Sequence, residues 1–360
     1  MRKKLLFLIP SLRAGGSERV FSILANHLDK EKFDVTVAVL DGSTPFYDIG
    51  EKVDLIDLKT PRVRQAFFKI FRLIRSKQPD IVVSTLTHLN LFVALMTPFL
   101  PQKTKYIARE STILSVFHAT ESYSALRNFT VKLFYKSFDL LICQSKRMAT
   151  DLEKNYDLPV SKLRIINNPI DTEGSLVRAS EGAVPARKAK FRFVSIGRLS
   201  AEKGLDTALD VLASLEGIDF EYFIIGEGAE RTALETRAKT LSIAERVTFL
   251  GNLKNPFNWL ASADLLLLTS HFEGFPNVVL EAGAVGTPVV AFACGGVSAE
   301  IIEEKITGFV VPDGDKLALK SAILRGCSET FDRHYIQQST AKRFGMSTIL
   351  AQFETVFLNL

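Results

Sequence analysis

The chain has 360 residues, 47% of them hydrophobic and 24% charged, a composition that excludes a disordered polyelectrolyte and suits two domains of ordinary size. Three cysteines (Cys143, Cys294, Cys327) without C-x-x-C spacing, and histidines without H-x-x-x-H spacing, argue for a reducing compartment and against a disulfide framework or a metal centre. The net charge of +5 is uneven: residues 1–180 hold 27 Lys and Arg against 18 Asp and Glu, or +9, and the remainder 18 against 22, or −4.

A basic first half beside an acidic second half points to an anionic partner for the first. The start, MRKKLLFLIPSL, has a short apolar run broken by Pro10 and no small-residue cleavage site ahead of Arg13. It reads as a first strand over 4–9 and not as a signal peptide. No window approaches the ~20 apolar residues of a membrane span, so the expected location is the cytoplasm.

Residues 13–18, with Gly15 and Gly16, form a loop ahead of helical spacing at Val20, Ile23, Leu24 and Leu28. A glycine pair leading into a helix can aim backbone N–H groups at a phosphate, though a Gly-Gly pair alone is more often just a tight turn. Short strands at 35–40, 53–57, 81–84, 105–108 and 140–143 alternate with helical patterns, which implies a parallel sheet covered on both faces.

Within 59–77, Phe67, Phe68, Phe71 and Ile74 interleave with Lys69, Arg72, Arg75 and Lys77 at helical spacing. Two readings stand: a basic amphipathic helix on an anionic membrane surface, or a helix packing its phenylalanines on the sheet. Residues 123–147 repeat the mixture with Phe129, Lys132, Phe134, Tyr135 and Lys136. No nucleic-acid motif is present, so nucleic acid is not an expected partner. Residues 164–171 look like a last strand leaving the first domain, and polar 173–190 reads as a linker.

A second strand–helix series begins at Phe191. Strand 191–196 leads to Gly197, Arg198 and Leu199, then Glu202, Lys203 and Gly204, before helical spacing from Leu205. An Arg and a Lys at the carboxyl end of a strand can clamp a diphosphate and neutralise charge on a leaving group. Strand 222–225 ends in Gly226-Glu227-Gly228, a candidate phosphate loop, and 247–252 is another strand-to-loop passage carrying Leu250.

Leu265 to Leu268 is a four-leucine run typical of a strand buried on both faces. A loop with His271, Glu273 and Gly274 follows, then a helix from Asn277 or Val278. Gly286-Thr287-Pro288 ends that helix, and strand 289–292 and Gly295-Gly296 lead to a helix carrying Glu300. Open α/β sheets bind ligands at the carboxyl ends of their strands. Glu273 and Glu281, eight residues apart across Gly-Phe-Pro-Asn, are placed to grip a ligand's hydroxyls there.

The stretch E-G-F-P-N-V-V-L-E-A resembles the E-x7-E signature of the family-4 retaining glycosyltransferases, and G-R-L-S-A-E-K-G resembles their donor-phosphate loop. The resemblance runs over nearly the whole chain, with specific motifs from Gly197 onward. It implies the GT-B architecture, an α/β fold of two Rossmann-like domains facing across a cleft. The acceptor domain would span 1–172, the linker 173–190, the sugar-nucleotide domain 191–340, and a C-terminal helix over 341–360 would cross back to the first domain.

By the same resemblance, Arg198 and Lys203 hold the diphosphate, Glu281 the ribose and Glu273 the sugar. Phe275, Pro276 and Asn277 offer backbone contacts, Leu250 reads the base, and Gly226 and Gly16 line the donor. Gly15, Arg109 and Glu110 fall on the acceptor side. Relatives carry a His after a middle strand, where this chain has Arg109-Glu110; His88 is the nearest substitute. The implied reaction is retaining transfer from a nucleotide-sugar (UDP-sugar ahead of GDP-mannose) to a lipid-linked or polysaccharide acceptor in cell-envelope glycan synthesis. It implies no metal and no cofactor beyond the donor itself. A sugar-nucleotide epimerase of the same architecture and a non-catalytic sugar-nucleotide sensor stand as alternatives. A dinucleotide oxidoreductase is disfavoured, because no G-x-G-x-x-G follows the first strand.

Overall fold

The computed structural model describes all residues except Ala14, Pro61 and 120–123, and omits the side chains of Val63, His118, Ala119, Ser124 and Ala125. Ala14 of the glycine loop, Pro61 of the 59–77 segment and Tyr123 of the second aromatic–basic stretch therefore lie outside the described residues. The chain divides into two compact units, Met1–Pro169 with Ser347–Leu360, and Ile170–Met346.

The first unit holds seven parallel strands: β1 (Lys3–Ser11), β2 (Phe33–Asp41), β3 (Asp54–Asp57), β4 (Ile81–Thr85), β5 (Lys105–Arg109), β6 (Leu140–Cys143) and β7 (Leu163–Ile165), in the order β3-β2-β1-β4-β5-β6-β7. The second holds six: β8 (Phe191–Ile196), β9 (Phe220–Ile225), β10 (Val247–Gly251), β11 (Leu265–Leu268), β12 (Val289–Phe292) and β13 (Gly308–Val311), in the order β10-β9-β8-β11-β12-β13. Each order reverses once, between β1 and β4 and between β8 and β11, where departing helices diverge and leave a crevice at the strands' carboxyl ends. The strands are near-continuous apolar runs because helices cover both sheet faces; β4, β6, β9, β11 and β12 are buried at every position.

The expected linker is not one. Residues Thr172–Ser180 form a helix capped by Asp171, whose Oδ1 accepts from the Gly174 N–H at 2.9 Å, with Glu173 in the first turn. It packs within the second unit, and the Arg178 guanidinium lies 4.7 Å from the Phe257 ring centroid. Only 181–190 is irregular, and even this segment is pinned by the wholly buried Arg192. That side chain pairs with Glu221 Oε1 at 2.7 Å and donates to Ser262 Oγ and to the Pro185 carbonyl.

The last helix begins at Met346, after the separate helix Arg333–Phe344. It belongs to the first unit: the Phe357 ring packs 6.3 Å from Phe7 and 6.1 Å from Phe33, and Lys3 Nζ donates to the Phe357 carbonyl. The 59–77 segment packs its apolar face inward. Ile70 and Ile74 are wholly buried, Phe67 and Phe71 lean on the same core, and of the three phenylalanines Phe68 alone faces outward. For this helix the packing reading accounts for nearly all the apolar residues.

Candidate functional site

In the second unit, the loops after β8 and β11 are knitted into one structure. Gly204 has φ +57°, and a Cβ there would sit 2.2 Å from the Thr269 carbonyl oxygen, so glycine is needed for the two loops to touch. Thr269 Oγ1 donates to the Lys203 carbonyl at 3.1 Å, and the His271 N–H to the Glu202 carbonyl at 2.8 Å. These bonds bring Lys203 Nζ to 2.6 Å from Glu273 Oε1, which also accepts from Ser270 Oγ at 2.8 Å. Cys294 supports Ser270 from below, its S–H donating to the Ser270 carbonyl at 3.2 Å. Burial pushes that thiol up to about 12, so it packs and does not react.

The ion pair is largely shielded, with side-chain exposures of 25% for Lys203 and 15% for Glu273. Arg198 differs: it stands exposed two residues past β8, and among the described residues its guanidinium makes no hydrogen bond or ion pair. The cluster thus offers one exposed cation, a second cation held by a carboxylate, and that carboxylate anchored by a hydroxyl. Such a set can take a doubly charged phosphate group once Lys203 exchanges its partner.

Glu281 lies one turn into the helix Asn277–Ala284, half-buried and four residues beyond Asn277, so the two share a helix face. Phe275 turns its ring inward, 6.2 Å from Phe344. Pro276 has no N–H, and its carbonyl accepts the Val279 N–H at 3.0 Å, so its backbone has no donor to offer a ligand. At β10 the register shifts between Phe249 and Gly251, and the bulge leaves Leu250 without a partner in the ladder. Gly226 has its N–H already committed, donating to the Gly251 carbonyl at 2.8 Å. A Cβ on it would lie 1.9 Å from the Gly197 oxygen, so this glycine serves a backbone crossing.

In the first unit, the helix Gly16–His27 starts at the glycine pair itself, with Gly15 as N-cap. Glu18 folds back over it, so a Cβ on Gly15 would meet its carboxylate at 2.2 Å. Burial raises the Glu18 carboxyl above its ordinary value. Arg109, the last residue of β5, and Glu110 just past it are wholly buried, so neither is presented to an acceptor. Glu110 accepts from Tyr135 Oη at 2.6 Å, Asn90 Nδ2 at 2.7 Å and Thr87 Oγ1 at 3.1 Å. Burial pushes its carboxyl up, against those donors. The Arg109 guanidinium donates to Asn168 Oδ1 at 2.5 Å, and burial pulls it down to about 10.

The accessible chemistry lies one turn away. Leu86 has φ +69°, a strained value for a branched side chain and of the kind that gathers at functional sites. This sharp turn from β4 into the helix Thr87–Met96 leaves His88 exposed at a cavity of about 580 Å³, with Leu91, Phe117 and Val131 on its walls. The Thr87–Glu110 bond ties the turn to the buried network. Partial desolvation at the cavity lowers the His88 pKa. Sequence reasoning missed Ser270, Thr269, Thr87 and Tyr135; all but Tyr135 sit at or just past a strand's carboxyl end, which was the one signal available.

Two parallel-sheet α/β units, each with its functional loops where strand order reverses, define the glycosyltransferase class called GT-B. Solved structures agree on the fold. The galactosyltransferase WaaB of the lipopolysaccharide outer core matches with a TM-score of 0.77 at 18% identity, over 99% of this chain and 100% of that one. Anabaena HepE, solved with UDP-glucose, matches with a TM-score of 0.76 at 21% identity, over 99% and 100%.

The sequence model described as Glycosyl transferases group 1 matches residues 179–343, and that of Glycosyltransferase Family 4 matches 14–174. The 4-alpha-N-acetylgalactosaminyltransferase of Campylobacter jejuni that acts on N-acetylgalactosamine-N,N'-diacetylbacillosaminyl-diphospho-undecaprenol is 30% identical over 80% of each chain. The amylovoran biosynthesis glycosyltransferase AmsD of Erwinia amylovora is 28% identical over 86% of this chain and 85% of its own. The chain belongs to the family-4 glycosyltransferases, and it is a sugar-transferring enzyme.

Proposed function

We propose that the enzyme moves a hexose or N-acetylhexosamine from a UDP-sugar to a lipid-linked saccharide of the cell envelope, with retention of anomeric configuration, at the inner face of the membrane. The observation that carries this reading is the exposed Arg198 beside the Lys203–Glu273 pair. Donor binding draws Lys203 off Glu273 onto the diphosphate, and Arg198 closes on the other side. The freed Glu273 carboxylate then faces the sugar and stabilises positive charge at the anomeric carbon. Glu281 takes the ribose hydroxyls, and the bulged backbone at Leu250 reads the base.

The two cations do what a divalent metal does elsewhere, so turnover is expected to survive chelation. The leaving phosphate accepts the acceptor's proton, so no carboxylate need serve as general base. On the acceptor side, His88 at its cavity takes the place of the missing His after β5. The UDP complexes of HepE and the diphospho-undecaprenol substrate of the Campylobacter relative support the donor and acceptor classes. The test is UDP release from UDP-sugars with a polyprenyl-diphosphate disaccharide as acceptor, with the product anomer assigned by NMR. An α-linked trisaccharide lipid, formed equally well with chelator, supports the reading. UDP-sugar converted without any acceptor would favour an epimerase.

A further inference from the structure

The helix Ser124–Phe134 breaks the usual rule for a surface helix. Its inward side is apolar, with Val131 wholly buried in the first unit's core. Its outward side is apolar too: Leu126 and Phe129 are each 62% exposed and Leu133 is 53% exposed. At 3.6 residues per turn, these three fall within an arc of roughly 60°. A contiguous exposed apolar stripe on the outer side of a helix whose inner side is already packed marks an interaction surface.

Cations border the stripe. Lys132, ion-paired with Asp157, and Lys136 lie along one side and Arg127 on the other, all exposed. The neighbouring helix Thr87–Met96 packs against this one and exposes Leu95 and, just beyond its end, Phe99, which is 71% exposed. That same helix also meets the 59–77 segment, through the 5.6 Å contact of Phe92 with Phe67, and the outer face of 59–77 carries Lys69, Arg72 and Arg75.

We infer that this face docks on an anionic lipid bilayer, with Leu126, Phe129 and Leu133 sunk at the level where headgroups meet acyl chains. Apolar residues on one arc with flanking cations are the pattern of a helix lying in that plane. Charge decides between occupants: a second copy of the chain seated here would set Arg127 and Lys136 against a like face, whereas anionic lipid complements them. Arg127 and Val131 of this helix also line the cavity at His88, which the first segment of an acceptor's lipid tail can enter. The inference therefore moves the membrane contact from 59–77, where the sequence suggested it, to 124–134 with 59–77 as a basic flank. It rests on the lipid-linked acceptor reading only for its purpose, because vesicle binding needs neither donor nor acceptor.

The test is flotation of the full chain with vesicles of phosphatidylglycerol and phosphatidylethanolamine, for wild type, Leu126→Ser/Phe129→Ser/Leu133→Ser, and Lys69→Glu/Arg72→Glu/Arg75→Glu. The inference expects the apolar triple to lose at least about tenfold in partitioning at every salt concentration, with an unchanged melting temperature and UDP response. The charge-reversed triple should lose binding mainly at low salt. Partitioning of the apolar triple equal to wild type overturns the inference. So does a wild-type dimer in light scattering that the apolar triple abolishes, which would make the stripe a protein interface. If vesicles bind as expected but no lipid-linked saccharide is ever glycosylated, the docking surface stands and the acceptor reading falls.

Discussion

The Lys203–Glu273 pair makes an unusual demand on the donor: two groups expected to bind it are bound to each other in the free enzyme. At 2.6 Å, with side chains 25% and 15% exposed, the pair sits between an exposed ion pair, worth ~0–1 kcal/mol, and a buried one, whose breaking costs about 3–5 kcal/mol. A working value near 1 kcal/mol corresponds to about fivefold in an equilibrium constant. Glu273→Gln should therefore tighten UDP binding about fivefold, because Lys203 no longer has to be pulled away, while turnover falls at least about 100-fold. Simple removal of a negative charge near the diphosphate would also tighten binding, and a double-mutant cycle separates the two causes. Lys203→Met should weaken UDP by about tenfold or more, and in that background Glu273→Gln should change the affinity by less than about twofold. Calorimetric titration of the four proteins reads all of this. Weaker UDP binding by Glu273→Gln, or the same fivefold gain with and without Lys203, would refute the exchange of partners.

Other expectations follow from single contacts. Gly204→Ala places a Cβ against the Thr269 carbonyl at a positive φ; it should cost about 2 kcal/mol or more in urea unfolding and abolish stabilisation by UDP. Glu221→Ala leaves Arg192 buried without its carboxylate and should cost about 3–5 kcal/mol, measured the same way. His88→Ala should lower turnover on the acceptor while leaving the UDP-induced shift in melting temperature unchanged, since its cavity belongs to the first unit. Glu18 has a raised carboxyl pKa, so the folded state holds its proton more tightly. Its contribution is present below the ordinary carboxyl value and is lost as pH rises through the raised one. Glu18→Gln should then gain stability over wild type at neutral pH and gain little near pH 4.

The sheets were legible because parallel strands buried on both faces are short apolar runs: 140–143, 191–196, 265–268 and 289–292 coincide with β6, β8, β11 and β12. The helix at Thr172–Ser180 was misread because its polar sequence, with Gly174 inside, has a weak apolar stripe. Its capping Asp171 and Glu173 were the available signal. The position of Glu273 could be read from the motif, but its bond to Lys203 could not, because that contact spans seventy residues and depends on Gly204 letting two loops touch. The burial of Arg109 and Glu110 was equally hidden: charge suggests a surface, whereas Asn168 meets Arg109 through one nitrogen and Tyr135, Asn90 and Thr87, brought in from other elements, satisfy Glu110. In 59–77 and 123–147 the sequence offered two similar aromatic–basic mixtures, and only packing shows which one turns its apolar residues outward.

The central claim is that the loops after β8 and β11 form a nucleotide-diphosphate clamp. The most direct measurement is a calorimetric titration of wild type and Arg198→Ala with UDP, GDP and ADP, without metal. The account predicts saturable binding of UDP in preference to the other two, weakened about tenfold or more in the variant, whose fold and melting temperature are otherwise those of wild type. Folded wild-type protein that binds none of the three, or an Arg198→Ala variant that binds UDP as well as wild type, would contradict it.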